Sequence, residues 1–236
     1  MISDNYTSIH QPNYLPWAGY FFKILISKTF IFLDDVQASK QSFFNRVKIL
    51  ENKKTTWLTV PIKISLGEKI NKIEFSQSDW KKRHLSKIYN SYKETNFFKE
   101  IFIIFEYLYN VKNLSNPSEM NKLFIKYITN CLEIETKFLS SSELKINSEL
   151  QSDERLIALL KKIKAVSYLS GTGASSYQNP DKFFFNNINL SYMKNLNLFY
   201  IQETQKFEPG LSIADLLFNL GKQETIKYIR KSFTVK

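Results

Sequence analysis

"YTSIHQPNYLPWAGYFFKILISKTFIFLDD", residues 6–35, reads as strand, turn, helix and strand in one pass. The stretch "YTSIH" is short and β-prone, and it runs into a turn holding two of the chain's six prolines, Pro12 and Pro16. "WAGYFFKILIS" then repeats at helical period, with Trp17, Phe21, Ile24 and Leu25 on one face. "TFIFLDD" is a β-branched and aromatic run closed by two acids, which predicts a buried strand with a polar C-terminal end. Together these make a βαβ unit, which implies parallel strands and a right-handed crossover. The expected class is α/β, with a mainly parallel sheet and a Rossmann-like core.

The rest of the chain fits that frame. "FFNRVKIL" and "TTWLTVPI" alternate as strands, with Lys53 and Lys54 near the turn between them. Helices are expected from Ser78, over 97–110, 118–135 and 150–164. "AVSYLSG" (165–171) reads as a strand entering a Gly-rich loop, and "LFYIQE" (198–203) as another strand. "LSIADLLFNLG" and "KQETIKYIRKSF" read as two closing helices. With no internal repeat or low-complexity linker, and "NLSNPSE" (113–119) read as a loop, the expectation is one domain over 1–236. A mostly helical insertion occupies roughly 78–164.

The composition narrows the class. Hydrophobic residues at 43% and aromatics at 15% describe a globular chain. Cys131 is the single cysteine, which excludes an internal disulfide and suits a reducing compartment. "MISDNYTSIH" lacks the basic and apolar regions of a signal peptide, and no uncharged apolar run approaches the ~18 residues of a membrane helix. A cytoplasmic protein without a membrane span is expected. The net charge of +11 suggests nucleic acid at first sight. Only Arg46, Arg83, Arg155 and Arg230 are arginines, however, and the lysines are spread along the chain without any nucleic-acid signature. An anionic small molecule is the better partner for that charge. The sequence leaves the oligomeric state open, a homodimer included.

Glycine is scarce. Average usage predicts about sixteen in a chain of this length, and there are six. Five of them mark three places: Gly19 in the opening stretch, Gly171 and Gly173 in "YLSGTGASSYQNPD", and Gly210 and Gly221 around "LSIADLLF". The first segment supplies His10, a base or acid at a strand end, and the acids Asp34 and Asp35, both classes suited to proton transfer. Ligands of open parallel sheets bind beyond the strand C-termini, where these residues fall. Gln11, Gln37, Lys40, Asn45 and Arg46 can hold anions or amides, and Tyr14 and Trp17 can offer flat faces to a sugar or base. Asn13, between the prolines, tolerates unusual φ. In the second segment Ser170, Gly171, Thr172 and Gly173 form a nest of N–H groups and hydroxyls for phosphate or carboxylate, with Tyr177 to stack. The Walker lysine and the third Rossmann glycine are missing, so neither nucleotide motif applies. In the third segment Ser212 and Asp215 fit a capping box, and Asp215 and Asn219 share a helix face. His84 lies one turn from Trp80 on a polar-aromatic stripe. Competing structural readings make His10 and the acids caps and the Gly-rich loop a tight ST-turn. Two histidines and one cysteine carry no metal-site spacing, so no metal is expected.

In order along the chain, "HQPNYLPWAGYF", "FLDDVQASKQSFFNRVKI", "WLTVPI", "YLSGTGASSY" and "FEPGLSIADLLFNLG" closely resemble the WbqC-like family, from about residue 7 to about residue 222. These are bacterial proteins whose genes often lie in clusters for O-antigen and other surface polysaccharides. Ala38 and Phe43–Phe44 depart from the family pattern, where aromatic or Trp-Arg residues are expected. A second likeness concerns layout alone: the strand, turn and helix are similar to the start of nucleotidyltransferases and pantothenate synthetases. There "WAGY" (17–20) falls on their H-x-G-H element, with Trp17 and Tyr20 in place of both histidines, which argues against adenylyl transfer.

The resemblance implies tailoring of a nucleotide-linked amino sugar for lipopolysaccharide. The reaction expected is transfer of an acyl or aminoacyl group to the sugar amine, with His10 and the acid pair taking its proton. The co-substrate would be that acyl or aminoacyl donor, of undetermined identity. The alternative classes are a non-catalytic sugar-nucleotide binding or assembly protein, and a glycosyl- or nucleotidyltransferase, the glycosyl reading weakened by the absence of a D-x-D motif.

Overall fold

The computed structural model describes residues 5–39, 42–202, 204 and 206–236. The chain opens with β1 (Tyr6–His10), α1 (Ala18–Leu25) and β2 (Ser27–Phe32). A hairpin follows, β3 (Arg46–Glu51) and β4 (Lys54–Thr59), then the small pair β5 (Ile62–Lys63) and β6 (Glu74–Phe75). Three helices come next: α2 (Trp80–Tyr92), α3 (Phe98–Asn110) and α4 (Pro117–Cys131). β7 (Lys137–Ser140), α5 (Ser152–Lys162), β8 (Ser167–Ser170), α6 (Pro180–Phe184) and β9 (Asn189–Asn195) continue the chain. α7 (Ile213–Ser232) and β10 (Phe233–Val235) close it.

Six strands form one sheet in the order β10-β9-β8-β1-β2-β7. β1 pairs in parallel with both β2 and β8, β2 with β7, and β8 with β9, while β10 joins β9 antiparallel at the edge. Numbered in chain order, the parallel strands lie 3-2-1-4-5, so the order reverses between β1 and β8. The expected mainly parallel α/β class is the observed one, with β7, inside the 78–164 span, joining the sheet beside the helices.

Side-chain alternation on the strands divides the core into two layers. Phe30, Phe32 and Leu169 point into a large cluster with α1, α4 and α7, built on Phe21, Phe124 and Phe218. Ile9, Ile31 and Tyr168 point the other way, onto Leu159 and Leu160 of α5 and Phe183 of α6. Both faces are covered, as a parallel sheet requires. The helix α1 departs from its expected single apolar face: Ala18 through Ile24 are all buried, Lys23 among them.

Local chemistry explains the connections. Asn52 and Lys53 both take positive φ, +50° and +61°, the geometry of a two-residue hairpin turn between β3 and β4. Asn116 caps α4 by accepting from Glu119 N, with Pro117 in the first turn. The two closing helices expected from the sequence meet at Gly221, which breaks α7 with φ +68°. A Cβ there would sit 2.5 Å from the Phe97 ring, so only glycine fits.

One expected strand is absent. Residues 198–202 form no ladder, and β9 at Asn189–Asn195 takes the place beside β8. In "LFYIQ" the apolar Phe199 and Ile201 face solvent, while Tyr200 and Gln202 turn inward to Asp215. The pattern alternates, but its inner face is polar.

The C-terminal end of β2 is tied across the fold. Asp34, buried, accepts from Lys122 Nζ at 2.6 Å, from Ser142 N at 3.0 Å and Oγ at 2.8 Å, and from Ser141 Oγ at 3.1 Å. Burial pulls its carboxyl upward, but the Lys122 and Ser142 donors outweigh that and hold it below the usual range. We predict that Lys122→Met destabilises the protein by about 3–5 kcal/mol at neutral pH, because it strands a buried carboxylate. The deficit should fade as acid protonates Asp34, whose stabilising effect is present above the unfolded value of 3.8 and lost as pH falls through the lower folded one. Urea titrations at neutral and acid pH measure both; an unchanged midpoint at neutral pH would show the pair to be dispensable.

Candidate functional site

β1 ends at His10 and β8 at Ser170, and these strands are neighbours at the point where strand order reverses. Chain leaving two adjacent strands toward opposite sides opens a crevice between them. One wall is the turn 11–17, which is fastened at every step. Tyr20 Oη donates to the Gln11 carbonyl at 2.9 Å, and Asn121 Nδ2 donates to the carbonyls of Pro12 and Phe44 at 2.8 and 2.7 Å. Tyr14 N donates to Phe43 O at 2.9 Å. Ser212 Oγ donates to Leu15 O, and Ile213 N to Pro16 O, both at 2.9 Å. The left-handed residue of the turn is Leu15, φ +41°, rather than Asn13. Gly19 answers a close approach: a Cβ there would meet the Trp17 indole at 2.5 Å.

The other wall is the loop after β8. Ser176 Oγ donates to Gly173 O, three residues back, at 2.9 Å, which tightens the loop but is not the ST-turn expected, where a hydroxyl accepts from an N–H two residues on. Gly171 and Gly173 differ from the other glycines. Neither has positive φ, and a Cβ on either would meet nothing within 4 Å. No protein neighbour demands glycine there, and both residues line the crevice.

The crevice encloses about 800 Å³. His10, Gln11, Tyr14 and Trp17 line it from one side, and Ser170, Gly171, Thr172, Gly173 and Tyr177 from the other, so the first and second segments meet. No aspartate or glutamate lines it among the described residues, and the one lysine is Lys23. Lys23 Nζ donates to the Ile9 carbonyl at 3.1 Å and lies 3.4 Å from His10 Nδ1. Burial lowers its ammonium to about 7. Burial, then the adjacent Lys23, hold His10 well below 6.5, so its imidazole is neutral at pH 7. The Tyr20 ring packs 4.8 Å from the His10 ring. Gln178 also lines the crevice, and its Oε1 is buried without a hydrogen-bond partner.

Other sequence candidates lie elsewhere. Asp34 and Asp35 are outside the crevice: Asp34 is held as above, and Asp35 pairs with Arg155 at 2.6 Å and accepts from Ser141 Oγ. Asn45 is buried, with Nδ2 donating to Val60 O at 3.2 Å. Gln37 is exposed and bridges to Lys69. Arg46 stacks its guanidinium 4.3 Å from the Trp57 ring centre, one residue before Val47, which does line the crevice. Lys40 lies outside the described residues. His84 is a core group: Nε2 donates to Thr59 O at 3.2 Å, and Nδ1 accepts from Tyr14 Oη at 2.8 Å. Tyr109 Oη completes that chain by bonding Tyr14 Oη. Tyr14 therefore turns its hydroxyl into the core rather than a flat face outward. Burial lowers His84 to about 4.

Ser212 caps α7, accepting from Ala214 N at 3.2 Å, but the Asp215 carboxylate does not reach back to complete the box. It accepts instead from Tyr200 Oη at 2.6 Å and Tyr92 Oη at 3.1 Å. Asn219 bonds the Asp215 carbonyl at 2.8 Å, not its side chain. Sequence reasoning missed Lys23, Asn121 and Gln178. For Lys23 a signal existed, a single charge inside the apolar run "YFFKIL".

A model of the WbqC-like protein family matches residues 11–227. Uncharacterized protein Rv1507c of Mycobacterium tuberculosis is 31% identical over 229 residues, covering 95% of this chain and 98% of that relative. No solved structure matches the chain. The chain belongs to the WbqC-like protein family.

Asp215 generates a stability prediction. Burial raises its carboxyl from 3.8 to about 6, against the hydroxyls of Tyr200 and Tyr92, which lower it. A raised acid costs stability once it ionises, so the protein should lose about 2–3 kcal/mol between pH ~4 and pH ~7 through this group. Asp215→Asn should remove that slope. Parallel denaturant titrations of both proteins across this range test it, and identical pH dependence would refute it.

Proposed function

We propose that this WbqC-like chain is a transferase that binds a nucleotide-linked amino sugar in the crevice and places an acyl or aminoacyl group on the sugar's amine. The observation that carries the reading is the position of His10. It is a neutral histidine at the end of the central strand, at the reversal of strand order, facing a crevice with no carboxylate among the described residues. Ligands of open parallel sheets sit where the strand order reverses, and that is where His10 lies.

The residues divide the work as follows. Lys23 and the N–H groups after β8 favour an anionic ligand, and the bare surface of Gly171 and Gly173 lets it approach the backbone closely. Trp17 and Tyr177 flank the sugar. Phe43, in the crevice lining, suits the base. His10 Nε2 takes a proton from the sugar ammonium. The freed amine attacks the donor's carbonyl carbon, a C–N bond forms, and the bond to the donor's leaving group breaks with its electron pair, the leaving group taking the second proton from nitrogen. Loop N–H groups stabilise the oxyanion between the two steps. Asp34 and Asp35 support the strand end and take no proton. This chemistry suits tailoring of surface polysaccharide precursors such as those of O-antigen.

The test is incubation of the purified protein with a panel of nucleotide-linked amino sugars and acyl or aminoacyl donors, with products read by mass spectrometry. We expect turnover, and we expect His10→Asn to cut it by ~10²–10⁴ while shifting the melting temperature by only a few degrees. Saturable binding without turnover would assign the protein to binding or assembly instead. Gly173→Leu separates ligand space from protein packing. Its backbone is ordinary, φ −83° and ψ −8°, and no protein atom lies near. It should leave stability intact and weaken nucleotide-sugar affinity at least about tenfold, some 1.4 kcal/mol. Unchanged affinity by calorimetry would place the ligand away from this loop.

A further inference from the structure

The two histidines of the chain are held in opposite ways. His84 donates Nε2–H to a carbonyl, Thr59 O, which can only accept, so its tautomer is set once and for all. His10 has no such anchor. Its Nδ1 faces Lys23 Nζ at 3.4 Å, and an amine both accepts and donates according to its charge. Lys23 is 2% exposed, has no carboxylate partner among the described residues, and keeps one N–H on the Ile9 carbonyl in either state.

We propose that Lys23 selects the tautomer of His10: as a neutral amine it accepts from Nδ1–H and leaves Nε2 a lone pair toward the crevice, and as an ammonium it donates to Nδ1 and makes Nε2 an N–H donor. One histidine is then a base in the first state and a proton donor in the second. The proton balance is closed. A substrate ammonium loses a proton to Nε2, Nδ1–H passes to the Lys23 amine, and the pair gains the one positive charge that the substrate loses. Lys23 touches no substrate in this scheme; it is a positioning residue that acts through His10.

The surroundings keep both states within reach of neutral pH. The groups facing the pair are the Tyr20 ring, whose hydroxyl is committed to Gln11 O, and the Ile9 carbonyl. Neither is charged at pH 7: burial pushes the Tyr20 hydroxyl well upward. Lys23, lowered by burial to about 7, therefore exchanges between its two forms where His10 itself stays neutral.

The inference adds to the transferase reading, and its test needs no turnover, so the two fail separately. Protein labelled with ¹⁵N-histidine gives two imidazole spin systems, and His10→Asn identifies which belongs to His10. Across about pH 5.5 to 8.5, His10 should pass from the Nε2–H to the Nδ1–H pattern with a midpoint near 7, while His84 keeps Nε2–H throughout as an internal control. Lys23→Met should abolish the transition. Lys23→Arg, charged at every pH, should hold His10 in the Nε2–H form. A wild-type His10 that keeps one tautomer over the whole range overturns the proposal, as does a transition that survives in Lys23→Met. Should that variant not fold, the wild-type titration and Lys23→Arg still decide.

Discussion

β1 is paired along both edges, and most of the molecule follows from that. A strand flanked by parallel neighbours cannot pass its chain on between them, so the backbone leaving His10 must turn away from the sheet plane. The chain leaving Ser170 must do likewise, toward the other side. The crevice is the space those two departures leave. Its two walls come from segments 160 residues apart in sequence, yet their nearness follows from one hydrogen-bonded strand pair.

What was legible in the sequence was what local periodicity encodes. The β-branched and aromatic run of "TFIFLDD" and the helical period of "WAGYFFKILIS" specify strand and helix, and the meeting of the His10 turn with the Gly171 loop follows from strand ends alone. What was not legible depended on partners far along the chain. Asp34 and Asp35 read as site acids because a strand's C-terminal end is where site acids belong. Nothing in residues 29–35 announces that Lys122, Ser141, Ser142 and Arg155 will arrive to occupy them. Lys23 was hidden for the opposite reason. On an amphipathic helix a lysine marks the wet side, and only the burial of α1 on every face makes this one an interior amine. The strand misplaced to 198–203 shows the same limit: alternation gives two faces but does not say which one is dry.

The two outcomes for buried charge are instructive side by side. Asp34 and Lys122 satisfy each other, and each stays in its charged form. Lys23 has only a carbonyl and an imidazole, so its charge is weakly held. A saturated ion pair builds scaffold, and an unsaturated amine beside the cavity is free to do chemistry. The distinction lies in the partners, not in the residue types.

The anchors of the turn also impose an order in time. Leu15, held in a left-handed conformation that costs a non-glycine residue on the order of 1 kcal/mol, is pinned by Ser212 and its neighbour Pro16 by Ile213. Those anchors are made nearly two hundred residues after the turn leaves the ribosome. The strand and helix of the opening unit can form early, but the wall between them has no restraint at Leu15 until the head of α7 docks. The wall is thus completed only by contacts from Ser212 and Ile213, and a chain without them would keep the anchors from Tyr20, Asn121 and Phe43 but lose the restraint on Leu15 and Pro16.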